Sequence, residues 1–145
     1  MQPPSGFRLL ERSSPLIDPW RPIYCQYKSD RVVLGVFLRP EHLNSRGSAH
    51  GGFIAALADW AMGISCGFRL NAGKVEFANL WTTSLTVDYL GKTEPGQWLT
   101  FDTVFAKTGK TICHAECDIA ADWETVARAR GAFRVQLQDH VSSSS

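Results

Sequence analysis

Asn44, His50, Gly51, Gly52 and Asp59 fall within the 16-residue segment NSRGSAHGGFIAALAD. The segment joins a polar, glycine-rich turn to an apolar helix whose interior holds one carboxylate. That join brings together two kinds of catalytic group. The first N–H groups of a helix lack an intrahelical acceptor and form the positive end of its dipole. A carboxylate among Leu57, Ala58, Trp60 and Ala61 is expected to be desolvated, which would make it a stronger base. Together they suit attack on a carbonyl: the Gly51 N–H meets the oxygen as it turns negative, and Asp59 activates water. Losing an oxyanion donor of this kind typically costs about 2.7–4 kcal/mol. Glycine fits the role because a carbonyl substrate must approach the backbone closely. Asp59 could instead attack directly to give an anhydride, and the sequence does not choose.

Spacing adds a constraint. Gly51 and Asp59 are eight residues apart, about 12 Å along an α-helix. One carbonyl cannot lie within about 3 Å of both in a single chain. If they serve one reaction, a second copy must supply one of them, and two antiparallel helices would create two equivalent sites. A hydroxyl from Thr82 or Thr83, early in the following strand, would hold the water. Strand alternation makes Thr83 the more inward-facing of the two.

Each residue also has a plainer reading. Asp59 could be a structural carboxylate paired with Arg128 or Arg130. His50 could cap the helix or orient Asn44, and Asn44 could close an Asx turn. Gly51 and Gly52 could be close-packing glycines. Asp88 is a rival carboxylate, but alternation sets it opposite Leu85, Val87 and Tyr89, toward the polar face. Trp60 adjoins the base and Trp81 the threonines, so either a flat or restricted pocket or core packing explains them.

The elements that must position these groups follow from the pattern. The 145 residues, 44% hydrophobic and 20% charged, suit one globular domain with a sizeable core. A net charge of +1, with no Lys/Arg-rich run, argues against nucleic acid. No charge-free apolar run nears 18 residues and QPPSG follows Met1, so neither a span nor a signal peptide is expected, and a cytoplasmic address is the default. Cys25, Cys66, Cys113 and Cys117 form no secreted framework. Cys113, His114 and Cys117 lack a second ligand pair for zinc, so no metal is expected and the thiols read as free and partly buried.

Residues 1–22, rich in proline, read as an irregular or briefly helical lead-in. A single domain is expected over 23–137 and a polar, fraying tail over 138–145. IYCQYK and RVVLGVFL flank a hairpin turn at Ser29-Asp30. A loop leads to a helix from Gly51 to about Phe68, ended by Arg69, Asn71 and Gly73. Four long strands follow, with a hairpin at Thr108-Gly109 in which Gly109 is free to take positive φ. A helix apolar on nearly all sides needs cover. The expected fold is α+β, with about six antiparallel strands curved around one buried helix and a second subunit closing the open side.

With five residues between Asn44 and HGG, Asp59 nine after the His, and the order β-β-α-β-β-β-β, the chain resembles the hotdog-fold acyl-CoA thioesterases. The PaaI-type branch of the 4-hydroxybenzoyl-CoA thioesterase superfamily is the most similar. The resemblance runs from about Val32 to Val135. It implies a homodimer or dimer of dimers with sites at the subunit interface, an oxyanion hole at Gly51, and Asp59 as base or nucleophile from the opposite subunit. Thr82 matches a position where relatives place a hydroxyl, and His50 is placed near the leaving thiol. The substrate would be an aryl-acyl or medium- to long-chain acyl-CoA, with coenzyme A entering only as part of it and no separate cofactor. Lys107 and Lys110, beside Gly109, and Arg46 are the candidate cations for its phosphates; Gly52, Trp60 and Thr83 are further candidate contacts. A non-catalytic acyl-CoA sensor or carrier is the alternative, and a hydratase of related fold is weaker because no Asp/His pair shares one loop.

Overall fold

The computed structural model describes residues 1–138. The tail expected over 138–145 therefore lies, beyond Gln138, outside the described residues. The chain forms one long helix on a seven-stranded antiparallel sheet. The strands are β1 (Arg8–Leu9), β2 (Tyr24–Tyr27), β3 (Val32–Phe37), β4 (Phe77–Tyr89), β5 (Trp98–Lys107), β6 (Ile112–Ala121) and β7 (Glu124–Leu137). The helix α1 spans Gly51–Ala72. The strand beyond the expected six is β1: the lead-in adds two residues to the sheet edge beside β2. So short a strand leaves no alternation to read.

The strand order β1-β2-β3-β5-β6-β7-β4 explains how the helix is placed. The chain leaves β3, crosses one face of the sheet as α1, and returns as β4 on the far edge. Then β5 fills the position beside β3. The helix is thereby packed on β3, β4, β5, β6 and β7. Phe53, Leu57, Ala58, Ala61, Met62, Cys66 and Leu70 go into the core with Leu34, Val36, Phe101 and Ile119. Ser65 ties the helix to β3, accepting from the Val32 N–H at 3.1 Å and donating to its carbonyl at 3.2 Å. By length and a mean hydropathy of 1.3, α1 could also cross a membrane. Here it is the core helix, and it continues four residues past Phe68 before Gly73 caps it.

The Ser29-Asp30 turn is present, closed by the Lys28 N–H donating to the Arg31 carbonyl at 2.9 Å. The β5–β6 hairpin is present too, with Lys107 opposite His114. Gly109, however, is not among the positive-φ glycines. It is needed for space instead, since a Cβ there would lie 3.1 Å from the Ile112 carbonyl oxygen. Cys113 and Cys117 share the buried face of β6 while His114 is exposed on the other, so the three side chains do not converge. All four thiols are free and buried. Burial pushes Cys66 up to about 12 and lifts Cys25 and Cys117 as well, which keeps them protonated and unreactive.

Candidate active site

Asp59 projects from the middle of α1, half-buried rather than sealed. Its Oδ1 accepts a 2.6 Å hydrogen bond from Thr82 Oγ1. No arginine pairs with it: Arg128 faces Asp118 at 3.9 Å, and among the described residues no ion pair involves Arg130. The Asp59 carboxylate opens on a cavity of about 570 Å³ with Trp60, Leu80, Trp81 and Thr82 in its lining.

Strand alternation favoured Thr83 as the inward residue, and the structure corrects this. Opposite β7, Thr82 pairs with Phe133 and Ser84 with Ala132, so Thr83 is an extra residue in a β-bulge. A bulge shifts the alternation by one. Before it Leu80 and Thr82 face the helix; after it Leu85, Val87 and Tyr89 take over that face. Thr83 instead donates to the Ala132 carbonyl at 3.1 Å and so braces the bulge.

The turn before the helix is built around Asn44. Its Oδ1 accepts from the N–H groups of Arg46 (2.9 Å) and Ser48 (3.2 Å), the Asx-turn arrangement. Gly47, with φ of +80°, completes the loop. Thr93, from the β4–β5 connection, pins it down: its Oγ1 lies 3.0 Å from Ser48 Oγ and accepts from the Ala49 N–H at 2.8 Å. His50 is the N-cap, and its Nδ1 accepts from the Gly52 N–H at 2.8 Å. That bond places the proton of a neutral ring on Nε2. Gly52 leaves room for the ring, since a Cβ there would lie 3.1 Å from His50 Nδ1.

Gly51 is the first helical residue, and among the described residues its N–H makes no hydrogen bond. Its carbonyl accepts from the Tyr89 hydroxyl at 2.6 Å. The phenol lies against the glycine so closely that a Cβ on Gly51 would stand 3.2 Å from the Tyr89 oxygen. Burial lifts the Tyr89 hydroxyl above its ordinary value and keeps it a donor. The glycine thus admits a neighbouring tyrosine. Alternation had turned Tyr89 inward but could not show what it would meet.

Gly51, Asn44, Arg46, Tyr89 and Lys92 line a second cavity of about 610 Å³, which Asp59 does not reach. Within one chain the candidate donor and the candidate base therefore face different spaces. Of the cations considered, Arg46 lines the Gly51 cavity. Lys110 lies in a separate groove with Trp81 and Arg134. Lys107 and Gly109 line neither cavity. Lys92 and Thr93, in the GKTEPG connection, carried no motif that marked them; only the folded loop brings them to the helix start.

The chain has relatives among known proteins. The family model described as the acyl-CoA thioesterase N-terminal domain matches residues 39–134. A protein of Pseudomonas aeruginosa named "Putative esterase" is 32% identical over 136 residues, 93% of this chain and 98% of its own. Among solved structures, the TT0310 protein of Thermus thermophilus shares the fold with a TM-score of 0.72 and 21% identity, covering 87% of this chain and 100% of its own. The PaaI protein of the Escherichia coli phenylacetic acid degradation operon matches with a TM-score of 0.68 and 22% identity, covering 84% of each chain. A hypothetical thioesterase of Streptococcus pneumoniae, solved with coenzyme A, matches with a TM-score of 0.67 and 24% identity over 80% of this chain and 87% of its own. The segment that links the Asn44 turn to the Asp59 helix, and the strands that frame it, thus belong to a thioester hydrolase of the acyl-CoA thioesterase family, built on the hotdog fold.

Proposed function

We propose that the chain hydrolyses an acyl-CoA thioester at a site shared by two protomers, with Asp59 from one and the Gly51 N–H from the other. One observation carries this reading: a hydrogen-bonded carboxylate and an unpaired helix-start N–H open on separate cavities of one chain. The edge of the sheet supports it. Among the described residues the 13-residue strand β4 pairs only with β7, and Trp81, Leu85 and Tyr89 are exposed along it, with Leu90 just past its end. A long edge strand of that kind invites a second copy. Pairing two such edges antiparallel would bring each helix start toward its neighbour's midpoint.

In the reaction, Thr82 occupies Oδ1 of Asp59 and leaves Oδ2 for the water. Oδ2 takes a proton as the water oxygen bonds to the thioester carbon. Negative charge gathers on the carbonyl oxygen, where the Gly51 N–H and the helix dipole stabilise it. The C–S bond then breaks, the acid is released, and the thiolate of coenzyme A takes up the proton. Arg46 and Lys92 lie beside the Gly51 cavity and supply the positive charge for the nucleotide phosphates. His50, held as the cap by the Gly52 N–H, lines neither cavity and serves to hold the helix start.

The test is hydrolysis of an acyl-CoA panel by the native chain and by Asp59→Asn. Turnover should fall by at least about a thousandfold with binding retained. Tight binding without turnover in either form would identify a carrier instead.

A further inference from the structure

The cavity that opens at Asp59 runs on along one face of α1. Gly63 and Gly67 lie in its lining, with Trp60, Ile64 and Phe68 beside them. Gly67 is demanded by the chain's own packing, because a Cβ there would stand 3.2 Å from Phe77 Cζ. Gly63 is not: a Cβ would meet only Phe133 Cε1, at an ordinary 3.6 Å. Glycine inside a helix is destabilising relative to alanine. The space left at Gly63 therefore serves something other than the fold of this chain.

The far end of the cavity has a wall. Tyr27 of β2 stands against Phe68 with ring centroids 6.0 Å apart. The Arg8 guanidinium, from β1, lies 4.8 Å from the centre of the Tyr27 ring and backs it. The added edge strand thus supports the wall of the cavity as well as extending the sheet. Phe68 follows Asp59 by nine residues, about 14 Å at 1.5 Å per helical residue. An extended chain advances about 1.1–1.2 Å per bond, a third of the reach of an extended residue. The distance from the carboxylate to the wall therefore corresponds to about 11–12 bonds.

We propose that this cavity selects linear acyl groups of about 11–12 carbons, with Tyr27 and Phe68 as the stop and the bare Gly63 as the passage. The inference rests on the thioesterase site proposed above. A compact aryl-acyl group would leave most of the length empty and forgo the apolar burial along it.

The experiment uses two straight-chain series from four to eighteen carbons: hydrolysable acyl-CoAs for kcat/KM, and non-hydrolysable thioethers for Kd. Each methylene buried should tighten binding about fourfold, up to a break at about 11–12 carbons. Tyr27→Ala should move the break to longer chains, and Tyr27→Phe should leave it in place. Gly63→Ala should weaken binding of chains longer than about six carbons by about fourfold or more, with the butyryl compound unchanged and thermal stability equal or higher. The thioether series reads the cavity even if no thioester is cleaved, so failure of the hydrolysis reading is seen separately. A flat profile, a preference for short or aryl-acyl compounds, or a break that Tyr27→Ala does not move would overturn the proposal. So would a Gly63→Ala variant that only weakens self-association, since the space would then belong to a partner helix.

Discussion

Thr82→Val removes one hydroxyl and keeps the shape of the side chain. It deletes the 2.6 Å donor to Asp59 Oδ1. Hydrogen bonds to charged groups are worth about 1.5–3 kcal/mol in buried settings. This pair opens on a cavity that water can enter, so solvent would replace part of the loss and the folding cost should be about 1 kcal/mol or less. The larger effect should fall on turnover. The carboxylate torsion has a broad, two-fold energy profile, so without Thr82 the Asp59 group can rotate and Oδ2 is aimed at the water for less of the time. A loss of about 1.4–2.7 kcal/mol in transition-state stabilisation is about ten- to a hundredfold in kcat. KM should stay within about threefold, because the hydroxyl acts on the base rather than on the bound acyl group. Thr82→Ser should recover most of the rate. The decisive assay is a cycle with Asp59→Asn: once the base is gone, Thr82→Val should cost little more, since the two side chains act as a unit. Native kcat in Thr82→Val, or full additive losses in the double variant, would show that the hydroxyl does not position the base.

Gly51→Ala would place a methyl 3.2 Å from the Tyr89 oxygen and push the phenol off the Gly51 carbonyl; kcat should fall at least about tenfold, and adding Tyr89→Phe should restore part of it by removing the crowding atom. Replacing Arg46 and Lys92 with Glu should raise KM for acyl-CoA while leaving acyl-pantetheine unchanged, and the difference should shrink with added salt. His42 is buried against Phe53, its Nδ1 accepting from the Arg39 N–H at 3.0 Å and its Nε2 donating to the Trp20 carbonyl at 3.1 Å. Burial holds its pKa below 6.5, with the bond to the Trp20 carbonyl opposing the effect, Arg39 adding to it and Glu41 opposing it. Above pH of about 6.5 both states carry neutral His42 and it adds no pH dependence. Below that value the unfolded chain binds the proton first, so stability should fall by up to about 1.4 kcal/mol per pH unit. Urea unfolding between pH 5 and 7 should show this slope, and His42→Gln should flatten it.

Much of the site was legible in the residues because local physics determines it. A glycine-rich turn followed by FIAALADWAMGISCGF must start a helix at Gly51, whatever surrounds it. Asn44 closing an Asx turn and His50 capping the helix are contacts within a few residues, and both were among the readings the sequence allowed. The eight-residue gap from Gly51 to Asp59 is set by helical rise, and it alone separates donor from base in one chain. Long alternating strands gave the sheet, although two residues at Arg8–Leu9 were too few to show as one.

The choice between Thr82 and Thr83 belonged to the tertiary structure. Alternation runs unbroken in the sequence TTSLTVDY, but β7 offers Phe133 and Ala132 as neighbours and one β4 residue has no partner. That mismatch lies in the pairing, so it cannot be seen in β4 alone, and it turns Thr82 toward the carboxylate. The same holds for Tyr89 on Gly51, Thr93 under the Asn44 turn, and Lys92 at the helix start. Each is brought to the site by a strand or loop about 40 residues away in sequence, so no local pattern can mark it. Short-range hydrogen bonding and helical rise determined the catalytic candidates; the register of one edge strand decided which hydroxyl serves them.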